Sequence, residues 1–341
     1  MHIVFYHLLN DFSGSPKVLK YTIQQALDEG HSVDLFSSAG GPLDDIRHPK
    51  FRHFKIPYSF HTSKFLTLCH FVWTQIIFFF STFRYIFRKN TRFYINTILP
   101  VGAALGARTI GRNLTVHCHE NATVKGPAYR SLSRTMLSLA HNIICVSKYQ
   151  ASFLPENLNI KIVPNSLTED FISRLKPDPE AAFERKNILM LSSLKVYKGM
   201  REFLNLAAML PAYTFTLVIN DTQKAIDNWL KTNGITPTQN ITIYSRQADV
   251  VPFYNSASIV LNLSNPRLFV ESFGMTALEA RAASLPVIVP PVGAIADIIK
   301  DGVDGFHIDC HDTPALSDTI TLLLSDRSLY LRIARNSSEQ G

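Results

Sequence analysis

Glu271-Ser-Phe-Gly-Met-Thr-Ala-Leu-Glu279 sets two carboxylates eight positions apart across a Phe-Gly turn. An apolar run, Ser258-Ile-Val-Leu-Asn-Leu-Ser264, precedes it, and a second, Leu285-Pro-Val-Ile-Val289, follows. Short apolar runs rich in β-branched residues read as buried strands, so the pattern is strand, tight turn, helix, strand. Gly274 lets the backbone turn closely at the strand end, and Thr276 is placed to cap a helix that continues through Ala283. The N-terminus of such a helix offers N–H groups that suit an anion, most often a phosphate. Glu271 falls in the turn and Glu279 about one helical turn inside, so two acceptor-only carboxylates flank the anion position. Phosphate donors between acceptors for a sugar and for a ribose diol suit a nucleotide sugar. The competing reading is an ordinary βαβ unit with surface glutamates.

Outward from this segment the same alternation continues. In the first half, strands are expected at 2–8, 32–36, 93–96, 114–118, 142–146 and 161–163, with a helix at 17–29. In the second half they are expected at 187–192, 214–219, 241–244, 258–263, 286–289 and 305–308. This spacing predicts two α/β domains, each a doubly wound parallel sheet, divided as 1–168 and 169–341. A ligand cleft is expected where the strand C-termini of the two sheets face each other. A length of 341 residues fits two hydrophobic cores.

With 46% hydrophobic and 18% charged residues, the composition excludes a disordered chain. Cys69, Cys118, Cys145 and Cys310 lie far apart, without C-x2-C spacing, which argues against a disulfide framework or a zinc site. The start, Met1-His-Ile-Val-Phe-Tyr, reads as a first strand without a basic leader, so a cytoplasmic protein is expected. The net charge of +7 is unevenly spread. Residues 1–168 carry 18 Lys and Arg against 8 Asp and Glu, a net +10, while residues 169–341 carry 16 against 19, a net −3. A basic first half calls for an anionic partner. No nucleic-acid-binding motif is present, so an anionic membrane surface or a phosphate-bearing acceptor is the better match.

The stretch 65–83, Phe-Leu-Thr-Leu-Cys-His-Phe-Val-Trp-Thr-Gln-Ile-Ile-Phe-Phe-Phe-Ser-Thr-Phe, runs 19 residues without a charge. Thr67, His70, Thr74, Ser81 and Tyr85 fall at helical spacing as a polar stripe, and Arg84, Arg88, Lys89 and Arg92 follow. Three placements are open: a helix lying in a bilayer interface, a Phe-rich helix packed on the sheet, or a membrane span, which would interrupt the alternating pattern.

The segment around Glu271 and Glu279 resembles the E-x7-E region of retaining glycosyltransferases with the two-domain GT-B fold, of the family 4 type that contains bacterial cell-surface polysaccharide and lipopolysaccharide enzymes. The similarity continues through Glu279-Ala-Arg-Ala-Ala-Ser-Leu-Pro-Val-Ile-Val289, Gly293 and Asp301-Gly-Val-Asp-Gly-Phe306. Cys145-Val-Ser-Lys148 and Val163-Pro-Asn-Ser166 match landmarks of the first domain. The resemblance implies two Rossmann-like domains, an acceptor-binding one at 1–168 and a donor-binding one at 169–341.

It also implies roles for particular residues. Glu271, Phe273, Gly274, Met275, Thr276 and Glu279 form the donor segment, with Glu271 on sugar hydroxyls and Glu279 on the ribose. In Leu191-Ser-Ser-Leu-Lys-Val-Tyr-Lys-Gly199, Lys198 aligns with the lysine that pairs with the donor diphosphate. Five residues earlier the family commonly carries Arg, and this chain has Ser193, which leaves Lys195, Arg246 or a residue of the first domain to replace that cation. Tyr244-Ser-Arg-Gln-Ala248, which contains Arg246, corresponds to the loop beside the base. Gly14, in Ser13-Gly-Ser-Pro-Lys17, matches the loop that faces the diphosphate. In Val116-His-Cys-His-Glu-Asn121, His119 aligns with the histidine near the transferred sugar, and His117 and Glu120 are acceptor-side candidates. The alternatives for that His-x-His pair are structural hydrogen bonding and, behind it, a metal site, for which no third ligand is apparent nearby.

No D-x-D is present, so a metal-independent reaction without a further cofactor is expected. The expected function is transfer of a sugar from a nucleotide-diphosphate donor to a saccharide or lipid-linked acceptor, with retained configuration, in cell-surface glycan synthesis. Peripheral contact of the 65–92 region with the inner face of the cytoplasmic membrane is expected alongside. The alternatives are a catalytically silent sugar-nucleotide or membrane-binding module, and a nucleotide-sugar epimerase of the same fold.

Overall fold

The computed structural model describes residues 1–59, 61, 63–120 and 126–338. Asn121, at the end of the His-Cys-His-Glu-Asn segment, and the chain end 339–341 lie outside the described residues. The chain divides into two compact units, Met1–Asn165 and Ser166–Gly341.

The first unit holds a seven-stranded sheet in the order β3-β2-β1-β4-β5-β6-β7. Its strands are β1 (His2–Tyr6), β2 (Ser32–Ser37), β3 (Phe51–Lys55), β4 (Thr91–Asn96), β5 (Leu114–Cys118), β6 (Asn142–Cys145) and β7 (Ile160–Ile162). The second unit holds a six-stranded sheet in the order β10-β9-β8-β11-β12-β13. Its strands are β8 (Asn187–Ser192), β9 (Thr214–Ile219), β10 (Ile241–Tyr244), β11 (Ile259–Leu261), β12 (Val287–Val289) and β13 (Gly305–His307). Every pairing is parallel. These are two Rossmann-like doubly wound sheets, as the alternating pattern predicts. The apolar runs are continuous rather than alternating because both faces of such a sheet are covered. Val4, Phe93, Ile95, Leu114 and Val116 are fully buried in the first sheet, and Ile188, Leu189, Val260, Leu261 and Ile288 in the second.

In each sheet the strand order reverses once beside the first strand, between β1 and β4 and between β8 and β11. Connections on either side of such a point leave toward opposite faces, which opens a crevice beyond the strand C-termini. The site residues described below cluster at these two reversals.

Two local expectations are corrected. The first helix, α1 (Gly14–Asp28), begins at Gly14 rather than at 17, so Gly14 sits in the first helical turn instead of a free loop. Strand β3 was not expected. Its sequence, Phe-Arg-His-Phe-Lys, looks polar, but it is an edge strand and its charges are used locally. Arg52 donates two hydrogen bonds, of 2.8 and 2.6 Å, to buried Asp34 on β2.

Asp34 also accepts a 2.6 Å hydrogen bond from the Tyr85 hydroxyl, and His2 Nε2 lies 3.2 Å away. Burial alone would raise its carboxyl pKa. The bonds from His2, Arg52 and Tyr85 outweigh that and hold it below the usual carboxylate range. Tyr85 follows α2 (Lys64–Thr82), so this buried carboxylate ties the exit of that helix to β1, β2 and β3. Asp34→Ala leaves Tyr85 and Arg52 without their acceptor, and the expected loss is about 3 kcal/mol or more. Urea unfolding of the first unit, followed by circular dichroism, checks this; an unchanged midpoint would contradict the role given to Asp34.

Candidate functional site

In the second unit, β8 runs into a short turn at Val196–Lys198 and the backbone then passes through Gly199 in the left-handed region, φ +71°. A side chain at Gly199 would meet the Leu263 carbonyl oxygen at 2.2 Å, so glycine permits the turn after β8 to press onto the segment after β11. That approach sets Lys198 beside Glu271. Lys198 Nζ donates to Glu271 Oε1 at 2.5 Å, and Ser264 Oγ donates to the same oxygen at 2.8 Å. The ammonium also lies 4.7 Å from the centre of the Phe269 ring, which stacks on Tyr197 at 4.5 Å. Only 13% of the Glu271 side chain and 24% of that of Lys198 is exposed. Burial would raise the Glu271 carboxyl. The nearby Lys198 charge, followed by hydrogen bonds from Lys198, Ser264 and Asn262, holds it below its ordinary value instead. One of the three ammonium N–H groups is committed to Glu271, and the group has two more.

The Glu271 backbone is held by Ala294, whose N–H donates to its carbonyl at 3.0 Å. After Glu271 the chain buries Phe273 and turns at Gly274, φ +115°, to start the helix Met275–Ala282. Gly274 is the N-cap of that helix. Thr276 therefore does not cap it; its hydroxyl accepts from Asn262 Nδ2 at 3.3 Å, tying the first helical turn to the strand end. The Gly274 carbonyl takes the Ala277 and Leu278 N–H groups at 3.1 and 3.2 Å, which leaves the first N–H groups of the helix as its positive, donor-rich end. One turn along, Glu279 accepts a 2.5 Å hydrogen bond from the Tyr254 hydroxyl. Burial first and the Glu279 charge second push the Tyr254 phenol far above its ordinary range, so it stays a donor and fixes the carboxylate.

The remaining second-unit candidates sit around this centre. Ser193 is half-buried, and its carbonyl accepts from the Lys195 N–H at 2.7 Å. Lys195 is exposed. Arg246 Nε donates to Asn220 Oδ1 at 2.8 Å, just beyond the end of β9, so its guanidinium is oriented along the same sheet edge. The two motifs downstream of Glu279 have a structural use. Arg281 and Asp304 are buried 3.7 Å apart, and Arg281 also donates to the Ile298 carbonyl at 3.0 Å.

In the first unit, His7, Asn96, His117 and His119 gather at the C-terminal ends of β1, β4 and β5. His119 Nε2 lies 2.7 Å from Asn96 Oδ1, and Asn96 Nδ2 lies 3.2 Å from His7 Nδ1. Asn96 Nδ2 also donates at 3.2 Å to the Ser15 carbonyl in the first turn of α1, the turn that Gly14 begins. The His117 and His119 rings are 4.1 Å apart, and the Tyr94 hydroxyl reaches His117 Nδ1 at 2.7 Å. Glu120 is half-buried and its carbonyl accepts from Gln150 at 3.2 Å. Burial lowers all three imidazoles: His117 to about 4, and His119 well below its ordinary value with further lowering by His117 and His7. They are neutral at pH 7 and serve as hydrogen-bond donors and acceptors rather than as charges. Among the described residues, a grouping with metal-ligand spacing is found instead at Asp309, Cys310 and His311.

Sequence reasoning names Lys198, Glu271 and Glu279 but misses Asn262, Ser264, Tyr254, His7 and Asn96. The polar ending Asn262-Leu-Ser264 on an apolar strand is a usable signal for the first two. Nothing local marks Tyr254, which meets Glu279 only through the fold.

Residues 172–340 match the family described as Glycosyl transferases group 1. Among curated relatives, sucrose-phosphate synthase of Spinacia oleracea is 31% identical over 93 residues, covering 27% of this chain and 9% of that one. D-inositol 3-phosphate glycosyltransferase of Corynebacterium efficiens is 31% identical over 105 residues, covering 30% of this chain and 21% of that one. The matched stretches thus span between 9% and 21% of the length of these relatives. Two solved structures align along nearly the whole chain. They are HepE of Anabaena, with a TM-score of 0.76, and sucrose-phosphate synthase of Thermosynechococcus elongatus, with 0.80. Each is 17% identical and covers 99% of this chain and 93% of its own.

A group whose folded pKa is lowered to about 4, as for His117, binds a proton more readily in the unfolded chain. Its neutral burial therefore contributes full stability above the unfolded value of 6.5 and loses it as pH falls toward 4. Between pH 7.5 and 4.5 the first unit should lose about 2–3 kcal/mol through this group. The corresponding loss should be absent in His117→Gln, measured by urea unfolding at both pH values; an equal loss in the variant would contradict the assignment. The fold is GT-B, and the second unit carries the segment that matches the Glycosyl transferases group 1 family.

Proposed function

We propose that this chain is a metal-independent, retaining glycosyltransferase that moves a sugar from a nucleotide-diphosphate sugar to a hydroxyl of a saccharide or lipid-linked acceptor. The observation that carries the reading is the Lys198–Glu271 pair at the β8/β11 reversal, next to the helix led by Gly274 and followed by the fixed carboxylate of Glu279. Lys198 and the first-turn N–H groups of that helix receive the diphosphate. Glu271 takes sugar hydroxyls, and Glu279, with one oxygen held by Tyr254, takes the ribose diol. Ser193 withholds the second cation of the usual pair, and Arg246, within the base-side loop and oriented by Asn220, is the guanidinium we assign to replace it.

In the step itself, the bond from the anomeric carbon to the diphosphate oxygen breaks, and the acceptor oxygen bonds to that carbon from the same face. The acceptor proton passes to a diphosphate oxygen. Negative charge grows on the leaving group, so donors already aimed there lower the barrier most. The neutral His119, with His117 and Glu120, is assigned to substrate hydroxyls in the first unit. Neutral imidazoles bind hydroxyls without adding charge to a site that already handles a diphosphate.

Several findings support the choice of substrates. HepE has been solved with UDP, with UDP-glucose, and with UDP and glucose, which makes uridine the first base to test. The names of the curated relatives point to phosphate-bearing sugar or inositol chemistry, and the basic first half of this chain accords with a phosphorylated acceptor. WaaG, another structure of the same fold, acts in lipopolysaccharide biosynthesis, and cell-surface glycan synthesis at the cytoplasmic face of the membrane is the setting we assign.

Saturation binding of UDP-, GDP-, ADP- and CMP-sugars in EDTA tests the donor site. One base class should bind, and Glu279→Ala should weaken it by about 10- to 100-fold, the range for a hydrogen bond to a charged group. Binding of no nucleotide sugar, or an unchanged affinity in Glu279→Ala, would overturn the reading. Turnover with the matched donor separates an enzyme from a silent binding module.

A further inference from the structure

Helix α2 is amphipathic in an inverted sense. The polar stripe turns inward: Thr74 and Thr82 are buried with Phe78 and Tyr85, and Ser81 Oγ lies 2.8 Å from the Tyr6 hydroxyl. The reading as a Phe-rich helix buried on the sheet is corrected: of its phenylalanines Phe78 alone is fully buried, its ring meeting Tyr6 edge-on at 5.3 Å, while Phe65 and Phe80 are exposed. Helix α3 (Val101–Thr109) fixes this rotation. Side chains at Gly102 and Gly106 would meet the Gln75 carbonyl oxygen at 2.0 Å and Thr82 Oγ1 at 2.3 Å, so the two helices touch backbone to backbone.

The opposite face carries Phe65, Leu66, Leu68, Val72, Trp73, Ile76 and Phe80, all exposed. At helical spacing these fall within an arc of about 160°. Phe65 is 72% exposed, Trp73 57% and Phe80 66%, and Phe87, just past the helix, is 95% exposed. Arg112 holds that exit, donating to the carbonyls of Tyr85, Ile86 and Lys89 at 3.3, 2.8 and 3.2 Å. Apolar residues scattered singly are ordinary on a surface; a continuous helical face of them is an interaction site.

The charge around this face selects its occupant. No Asp or Glu lies between Asp45 and Glu120, a stretch with eleven Lys and Arg. Lys64 opens α2, and the exposed Arg84, Arg88, Lys89 and Arg92 follow it. A second copy of the chain would bring the same cations against one another. An anionic bilayer offers apolar depth for the face and negative headgroups for its flanks.

We propose that α2 docks the first unit on an anionic lipid surface, lying in the interface with Phe65, Trp73 and Phe80 inserted and Arg88 and Lys89 on headgroups. The inward-facing Thr74, Thr82 and Tyr85 and the Tyr85–Asp34 bond keep the helix on its domain, so it lies on the membrane and does not cross it. This docking is independent of the donor site.

The test uses the full chain with vesicles of phosphatidylcholine alone and of phosphatidylcholine mixed with phosphatidylglycerol. Sedimentation with the mixed vesicles only is expected. In Trp229→Phe, which leaves Trp73 as the reporter, emission should shift to the blue on binding. Phe65→Ser/Trp73→Ser/Phe80→Ser should abolish binding with an unchanged circular dichroism spectrum. Arg88→Gln/Lys89→Gln should weaken it by about 5-fold per charge removed. No binding to the mixed vesicles, or equal binding by the triple variant, would overturn the proposal. So would a dimer in light scattering that the triple variant dissolves, since a second copy would then cover the face.

Discussion

Glu271 is held ionised in its largely buried position chiefly by the Lys198 charge against it, with hydrogen bonds from Ser264 and Asn262 in support. Burial of a carboxylate with 13% of its side chain exposed raises its pKa, and the Lys198 charge reverses that direction. The pair in turn depends on backbone geometry. The turn after β8 must press onto the segment after β11, which Gly199 permits, and the Glu271 carbonyl is pinned by Ala294. Both conditions arise from the reversal of strand order between β8 and β11. Parallel strands on either side of a reversal send their following segments apart, and side chains from both sides then converge over the strand ends.

The two units use this architecture with different electrostatics. The second sheet edge holds an ion pair, a carboxylate fixed by a buried phenol and a helix N-terminus. The first holds three imidazoles kept neutral by burial: His7 and His119 are linked through Asn96, and His117 lies against the His119 ring and bonds Tyr94. On the proposed reading, the charged edge meets the diphosphate and the uncharged edge meets hydroxyls. An arginine in place of Ser193 would add a second cation beside Lys198. Its absence leaves the helix dipole and Lys198 with a larger share of the phosphate charge, which makes Lys198 the residue on which donor binding rests.

Much of the fold was legible because parallel strands are short apolar runs at regular spacing. The residues of β5, β8, β9 and β10 are those the sequence predicts. Strand β3 was not legible: an edge strand pairs on one side only, and Phe51-Arg-His-Phe-Lys55 hides its role in a long-range bond to Asp34. Lys198, Glu271 and Glu279 stood out because turn glycines and strand ends surround them. Tyr254 and Asn96 did not, since each acts on a residue more than twenty positions away, and no local pattern encodes such a contact. The polar stripe on α2 was visible, but its inward direction was not. That direction follows from close contact with Gly102 and Gly106 on a helix later in the chain.

The most direct test of the account is 31P NMR of UDP titrated with the protein in EDTA, comparing wild type with Lys198→Met. If Lys198 receives the diphosphate, both phosphorus resonances shift on binding to the wild type and remain near their free positions with a folded Lys198→Met at the same concentrations. Equal shifts with the two proteins would contradict the account, because the phosphate charge would then be met elsewhere.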